Sequence, residues 1–190
     1  RMLVDQKIYE EAIQIAAKTA QLVTVGPASE DGRHIGPVVN EVQFNKIQNL
    51  IKIGIEEGAR LVIGGLGKPD GVNKGFYVKP TVFADVDNNM TIAREEIFGP
   101  VLSIIPFETE NEAVQLANDT VYGLTNYVQT SDSERANRLA RSLRSGMVEM
   151  NGQPRSPGSP FGGMKQSGNG REGGSWGIED FLEVKAISGW

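Results

Sequence analysis

Two carboxylates, an aromatic ring and a Gly-Pro breaker stand together in Arg94-Glu95-Glu96-Ile97-Phe98-Gly99-Pro100. An ionised glutamate is an acceptor-only group that can take two hydroxyl protons at once. A flat apolar ring beside it suits a planar heterocycle. The pair therefore fits a sugar diol joined to such a ring. The same seven residues also read as a solvated acidic pair next to a core phenylalanine. Gly99-Pro100 places a sharp change of structure there. The apolar run that follows, Val101-Leu102-Ser103-Ile104-Ile105, is short and bounded, as a buried strand is. Glu96 and Phe98 then lie on the connection into that strand, and irregular segments held by a rigid scaffold are a usual place for ligand contacts.

Other chemistry is narrowly bounded. The chain has 190 residues and no cysteine, so it offers no disulfide, no thiolate metal site and no cysteine nucleophile. Its one histidine, His34, sits in a polar stretch with Glu30, Asp31 and Arg33 and reads as solvated; one His cannot build a multi-His zinc site. The net charge is −5 with the basic residues scattered, which argues against a nucleic-acid partner. No apolar run approaches the roughly 20 residues of a membrane helix, and Arg1-Met2-Leu3-Val4-Asp5 turns polar too early for a signal peptide. Hydrophobic residues make up 39% and charged residues 23%, an ordinary globular balance with length for one well-buried domain.

The elements that must position Glu96 and Phe98 follow from periodicity. Ile8, Ala12, Ile15, Ala16 and Leu22 predict one apolar stripe of a first helix, ended by Gly26-Pro27, with a polar loop over 28–36. Val42 to Glu57 predicts a second helix with Phe44, Ile47, Leu50, Ile51 and Ile55 on one face and Gly58 as its cap; Gln43 and Lys46 share a neighbouring face. Leu61-Val62-Ile63 predicts a short buried strand before Gly64-Gly65, and 76–86 an extended piece.

Beyond Ile105, a helix is predicted over 109–118 and a strand after Tyr122-Gly123-Leu124. Ser131-Asp132-Ser133-Glu134 predicts a capping box opening a helix that buries Ala136, Leu139, Ala140 and Leu143 and stops at Gly146. Met147 to Asn151 reads as a strand, 151–175 as a long Gly/Ser/Pro-rich loop, 176–182 as a short helix and 183–190 as a last strand. Gly168 to Gly173 fits Gly-x-Gly-x-x-Gly as text, but no strand leads into it. Alternating strands and helices predict an α/β fold with a largely parallel sheet flanked by helices.

Several segments together resemble the NAD(P)-dependent aldehyde dehydrogenases. They are Glu95 to Val101, Asn118 with Tyr122-Gly123-Leu124, and Ser159-Pro160-Phe161-Gly162-Gly163-Met164-Lys165-Gln166-Ser167-Gly168. Gly36-Pro37-Val38, Gln43-Phe44, Glu57-Gly58-Ala59 with Gly64-Gly65, and Pro80-Thr81-Val82 keep the same order. The resemblance implies a truncated catalytic domain over 1–182 and a strand of the oligomerisation region over 183–190. It also implies an N-terminal cofactor domain outside this chain, with the nucleophilic Cys, the general-base Glu and the oxyanion-hole Asn all upstream. No catalytic residue and no metal ligand is then expected here.

The resemblance assigns Glu96 to the nicotinamide ribose hydroxyls and Phe98 to the ring. It places Gln43 and Lys46 near the cofactor's ribose region and Phe161 on the wall of the aldehyde tunnel. Arg155 falls at the tunnel mouth, where its planar fork either pairs with an acidic substrate tail or is a surface Arg. The implied reaction oxidises an aldehyde to an acid through a thiohemiacetal and thioester, with NAD or NADP as cofactor. A small-molecule aldehyde, a homodimer or homotetramer and a cytoplasmic location go with it, and neither nucleic acid nor membrane. A CoA-acylating or acyl-phosphate reductase relative, and a non-catalytic protein on the same fold, are the alternatives.

Overall fold

The computed structural model describes residues 1–189 other than 28, 30, 32, 33 and 73. Part of the polar loop predicted over 28–36, the side chain of His34 and the last residue of the predicted final strand lie outside the described residues. Contacts gather in two compact units, Arg1–Ala113 and Val114–Trp190.

In the first unit the order is β1 (Met2–Asp5), α1 (Tyr9–Leu22), β2 (Thr24–Val25), β3 (His34–Ile35), α2 (Glu41–Glu56), β4 (Arg60–Ile63), β5 (Thr81–Ala84), α3 (Thr91–Arg94) and β6 (Val101–Phe107). α4 (Glu110–Asn118) follows. The main sheet runs β1-β6-β5-β4, with β1 and β5 parallel to β6 and β4 antiparallel to β5. β2 and β3 form a separate parallel pair. The largely parallel α/β sheet predicted from the sequence is therefore present.

β5 is buried at all four positions, as a central strand covered on both faces must be. Its alternation sorts the core. Val82 and Ala84 join Val4, Tyr9, Ile13 and Ile104 in one cluster, with Ala12, Ala16 and Ala20 of α1 packed on it. Phe83 faces the other way, towards α2 and α3: a Cβ on Gly54 would lie 3.4 Å from Phe83 Cζ and 2.9 Å from Ile92 Cδ1. The α1 stripe differs from the prediction. Ala12 and Ala16 pack on the core as predicted, but Ile8, Ile15 and Leu22 are exposed, because Tyr9, Ile13 and Ala20 complete the inward row instead. Tyr9 fixes that row: its buried hydroxyl accepts from Asp85 N (2.7 Å) and donates to Ile104 O (3.2 Å).

α2 ends as predicted, with Gly58 at φ +93°. Asn40 caps its start, its Oδ1 accepting from Gln43 N at 2.9 Å. Ile47, Leu50 and Ile51 are buried, but Ile55 is largely exposed and Gly54 takes its place against α3. β4 is an edge strand, half open to solvent rather than buried. The extended piece predicted over 76–86 is a strand only at 81–84, since Pro80 has no N–H to give a ladder.

The second unit holds β7 (Thr125–Val128), α5 (Ser133–Ser142), β8 (Met147–Met150) and α6 (Gly174–Glu179), with β7 and β8 parallel. The cap of α5 is Asp132 and not Ser131: its Oδ1 accepts from Glu134 N (2.9 Å) and Arg135 N (3.0 Å). Those backbone hydrogen bonds, Arg135 first, hold its carboxyl below the usual value. α5 buries no residue fully; Ala136, Leu139 and Leu143 are half-buried and Ala140 is exposed. α5 stops at Ser142, and Gly146 serves a different purpose, since a Cβ there would collide with Gly162 O. Residues 183–189 form no strand and pair with no strand among the described residues. Among the described residues no helix is long and apolar enough to cross a membrane.

Candidate functional site

The segment between α3 and β6 carries the predicted contacts. α3 ends at Arg94, and Glu95, with extended dihedrals, opens the connection. Ile97 is buried and anchors it, while Glu95, Glu96 and Phe98 are exposed. Phe98 is 75% exposed, so it is not the core residue that the seven residues alone also allowed. Its backbone sits at φ +56°, in the left-handed region. A non-glycine residue held there stores about 1–3 kcal/mol and persists only where its surroundings fix it.

α2 provides that fixing. Gln43 Nε2 donates to both Ile97 O and Phe98 O, at 3.0 Å each. Lys46 Nζ donates to Glu96 O at 2.8 Å. Ile47, one residue on, lies so close to Gly99 that a Cβ there would stand 2.5 Å from Ile47 Cδ1. Residues 43, 46 and 47 share one helical face by their i, i+3, i+4 spacing. Three consecutive carbonyls are thereby satisfied from one helix. The carboxylate of Glu96 has no hydrogen-bond or ion-pair partner among the described residues. The helix thus fixes the main chain and leaves one carboxylate and one ring presented to solvent.

In the second unit Phe161 and Arg155 lie together. The Arg155 guanidinium stands over the Phe161 ring, 5.1 Å from its centroid, and its Nη1 donates to Ser159 O at 3.0 Å. Phe161 is fixed by a two-way antiparallel bridge to Glu172, both N–H···O distances being 2.7 Å. These residues, with Ser156, Pro157 and Gly173, line an open cleft of about 600 Å³.

The loop under this cleft is held by two basic residues that periodicity does not single out. Lys165 Nζ donates to Asn118 O (2.8 Å) and Thr120 O (3.0 Å). Arg171 Nη1 reaches Gly163 O (2.7 Å), Gly170 O (2.9 Å) and Asn169 O (3.2 Å). The sequence signal for Lys165 is its place in the Ser159–Gly168 segment of the resemblance, and for Arg171 a cation inside a Gly-rich run.

This architecture is that of one family. The model of the aldehyde dehydrogenase family matches residues 1–187, and the chain belongs to that family. An aldehyde dehydrogenase homologue from Staphylococcus aureus (strain MSSA476) is 51% identical over 190 residues, covering all of this chain and 40% of the homologue. The crystal structure of aldehyde dehydrogenase from Bartonella henselae superposes with a TM-score of 0.98 at 59% identity, over 100% of this chain and 40% of that one. A mutant of aldehyde dehydrogenase C from Pseudomonas syringae, in complex with NAD+ and octanal, gives 0.95 at 50% identity, over 98% and 39%. The chain thus spans about 40% of the length of the relatives it matches.

Proposed function

We propose that the protein to which this chain belongs oxidises an aldehyde to a carboxylic acid with NAD(P)+. The observation that carries the reading is the unpartnered Glu96 carboxylate two residues from the exposed Phe98 ring, on a main chain pinned to α2. A carboxylate with both oxygens available fits a ribose diol, and a solvent-facing ring fits the adjoining nicotinamide. The Pseudomonas syringae relative was crystallised with NAD+ and octanal, which supports the same chemistry here.

In this reading Glu96 accepts from the ribose hydroxyls and Phe98 covers the ring. Holding the reacting atoms in one orientation is where these residues contribute to rate. Bound NAD(P)+ supplies the hydride acceptor. A cysteine thiol outside this chain adds to the aldehyde carbon, that carbon gives up a hydride, and water cleaves the resulting thioester to release the acid and the thiol. Phe161 and Arg155 form part of the aldehyde's approach. The Arg155 guanidinium rests on the Phe161 ring and gives one N–H to Ser159 O in that approach.

Residues 1–182 then belong to a catalytic domain, with the cofactor domain outside this chain. Residues 183–190 serve as a strand added to a partner's sheet in a homodimer or homotetramer. Supporting this, Phe181 is 86% and Val184 97% exposed, with Leu182 and Ile187 also open. A cytoplasmic location completes the reading, testable by cell fractionation.

The test is an assay of the full-length protein with an apolar aldehyde and NAD+ or NADP+, with and without CoA. Reduced nicotinamide together with free carboxylic acid is the expected result. Acyl-CoA as the product assigns the protein to the CoA-acylating relatives, and no reduced nicotinamide with any aldehyde overturns the reading.

A further inference from the structure

We infer that Asn169 is a site of spontaneous deamidation, and that its isoaspartyl product loosens the loop under the Arg155–Phe161 cleft. The site lies in the run Gly168 to Gly173, which fits a nucleotide-binding pattern only as text. It is independent of the reaction proposed above.

Asparagine is a chemically labile side chain. It is most open to attack where glycine follows, because glycine has no Cβ to crowd its nitrogen. The chain has two such pairs, Asn151-Gly152 and Asn169-Gly170, and both are exposed. Their surroundings differ. Asn151 Oδ1 accepts from Thr130 N at 2.8 Å, and Asn151 N donates to Val128 O at 2.7 Å. These bonds hold the Asn151 amide against the end of β7, and it must leave Thr130 before it can react. The Asn169 side-chain amide has no hydrogen-bond partner among the described residues; its main-chain oxygen alone is used, by Arg171. Asn169 also lies outside every helix and strand.

The step needs only water. The Gly170 nitrogen bonds to Asn169 Cγ and gives up its proton, and the side-chain nitrogen leaves as ammonia. Water then opens the cyclic imide. Cleavage at Cγ leaves aspartate. Cleavage at the main-chain carbon leaves isoaspartate, in which the chain runs through Cβ and Cγ and the former Asn169 carbonyl is a free carboxylate. Nothing is oxidised or reduced.

The isoaspartyl form disturbs the hold of Arg171. Its Nη1 donates to Gly163 O, Gly170 O and Asn169 O, and two of these acceptors belong to the reacting pair. Isoaspartate lengthens the chain between them and makes one of them an anion. The guanidinium then pairs with that carboxylate at the expense of Gly163 O. Gly170 O also stands against Gly162, where a Cβ would collide with it. Glu172, next to Arg171, is bridged both ways to Phe161. The Asn-Gly pair thus backs the segment that carries Phe161.

The test ages the full-length protein at mildly alkaline pH, folded and, separately, unfolded in guanidinium chloride. Peptide mapping by mass spectrometry reads the amide-to-acid mass gain at each asparagine, and an isoaspartyl methyltransferase detects the isoaspartate. Unfolded, the two pairs should react at similar rates. Folded, Asn169 should react at least roughly tenfold faster than Asn151, the scale of the hydrogen bond that Asn151 must give up. Asn169→Gln should abolish isoaspartate at that position and leave Asn151 unchanged. In the isoaspartyl fraction, amide exchange at Phe161 and Glu172 should be roughly tenfold faster than in fresh protein, the scale of one lost charge-assisted hydrogen bond. Exchange over β5 should not change. Folded rates within a few-fold of each other, or higher at Asn151, overturn the assignment of the site. Unchanged exchange at Phe161 and Glu172 overturns its link to the cleft.

Discussion

Lys46 Nζ donates to the main-chain oxygen of Glu96 at 2.8 Å, joining the middle of α2 to a loop fifty positions later. With Gln43 it turns a helix face into a holder for three carbonyls. The loop's own side chains are then free to face outwards. A rigid element thus positions two exposed groups without using them, which is what a preorganised contact site requires.

Tyr9 performs the corresponding task inside the sheet. Its hydroxyl joins Asp85 N to Ile104 O across β5 and β6. Burial, the largest cause, pushes the phenol pKa up, so the group stays a neutral donor. Tyr9→Phe takes the acceptor from the part-buried Asp85 N–H, while Ile104 O keeps Val86 N, and should cost roughly 2 kcal/mol. Native-state amide exchange at Asp85 checks this; protection equal to wild type would show that water replaces the hydroxyl.

Gly146 is a packing residue. A Cβ there would run into Gly162 O and lie 3.0 Å from Gly163 Cα, both of them backbone. Neither can swing away as a side chain would. Gly146→Ala should therefore destabilise the second unit by about 3 kcal/mol, an overpacking cost. The loss should appear as faster exchange over β7 and β8, with the sheet of β1, β4, β5 and β6 unaffected.

Asp132 should give α5 a pH-dependent end. Its carboxyl is held below the usual value by backbone hydrogen bonds, Arg135 first. A depressed folded pKa adds stability that is present above the unfolded value and is lost as pH falls through the folded one. Asp132→Asn keeps an acceptor that does not titrate. The stability difference between wild type and Asp132→Asn should shrink as pH drops below about 4. A constant difference from neutral to acidic pH would contradict the role of the ionised cap.

Much of the fold was legible because it is local. The α2 face at Ile47, Leu50 and Ile51, the β6 strand and the Gly58 cap are properties of neighbouring residues, and they stand as read; Ile55 does not, since Gly54 takes its place. The α1 stripe was right at Ala12 and Ala16 and wrong at Ile8, Ile15 and Leu22, because Tyr9 was not counted among its apolar residues, although its ring and hydroxyl choose the buried row. Ser131 and Asp132 are both good caps, and only the dihedrals decide between them. Gly146 looked like a helix stop because a close approach to Gly162, sixteen residues on, leaves no mark in sequence.

For the site, the residue types at 96 and 98 announced an acceptor and a ring. The family resemblance pointed to Gln43 and Lys46, but their partners on the main chain of 96–98 are a tertiary fact. The tail over 183–189 alternates at first as a strand does but has no ladder among the described residues, because alternation alone does not supply a pairing partner.

The most direct test of the account concerns Glu96 and the ribose hydroxyls. Full-length wild-type protein and Glu96→Gln are titrated with NAD+ and with an analogue whose nicotinamide ribose lacks both hydroxyls. Wild type should bind the analogue at least roughly tenfold more weakly than NAD+, the scale of charge-assisted hydrogen bonds. Glu96→Gln should lose most of that discrimination. Equal discrimination by wild type and variant would contradict the role assigned to Glu96 and, with it, the reading of the whole site.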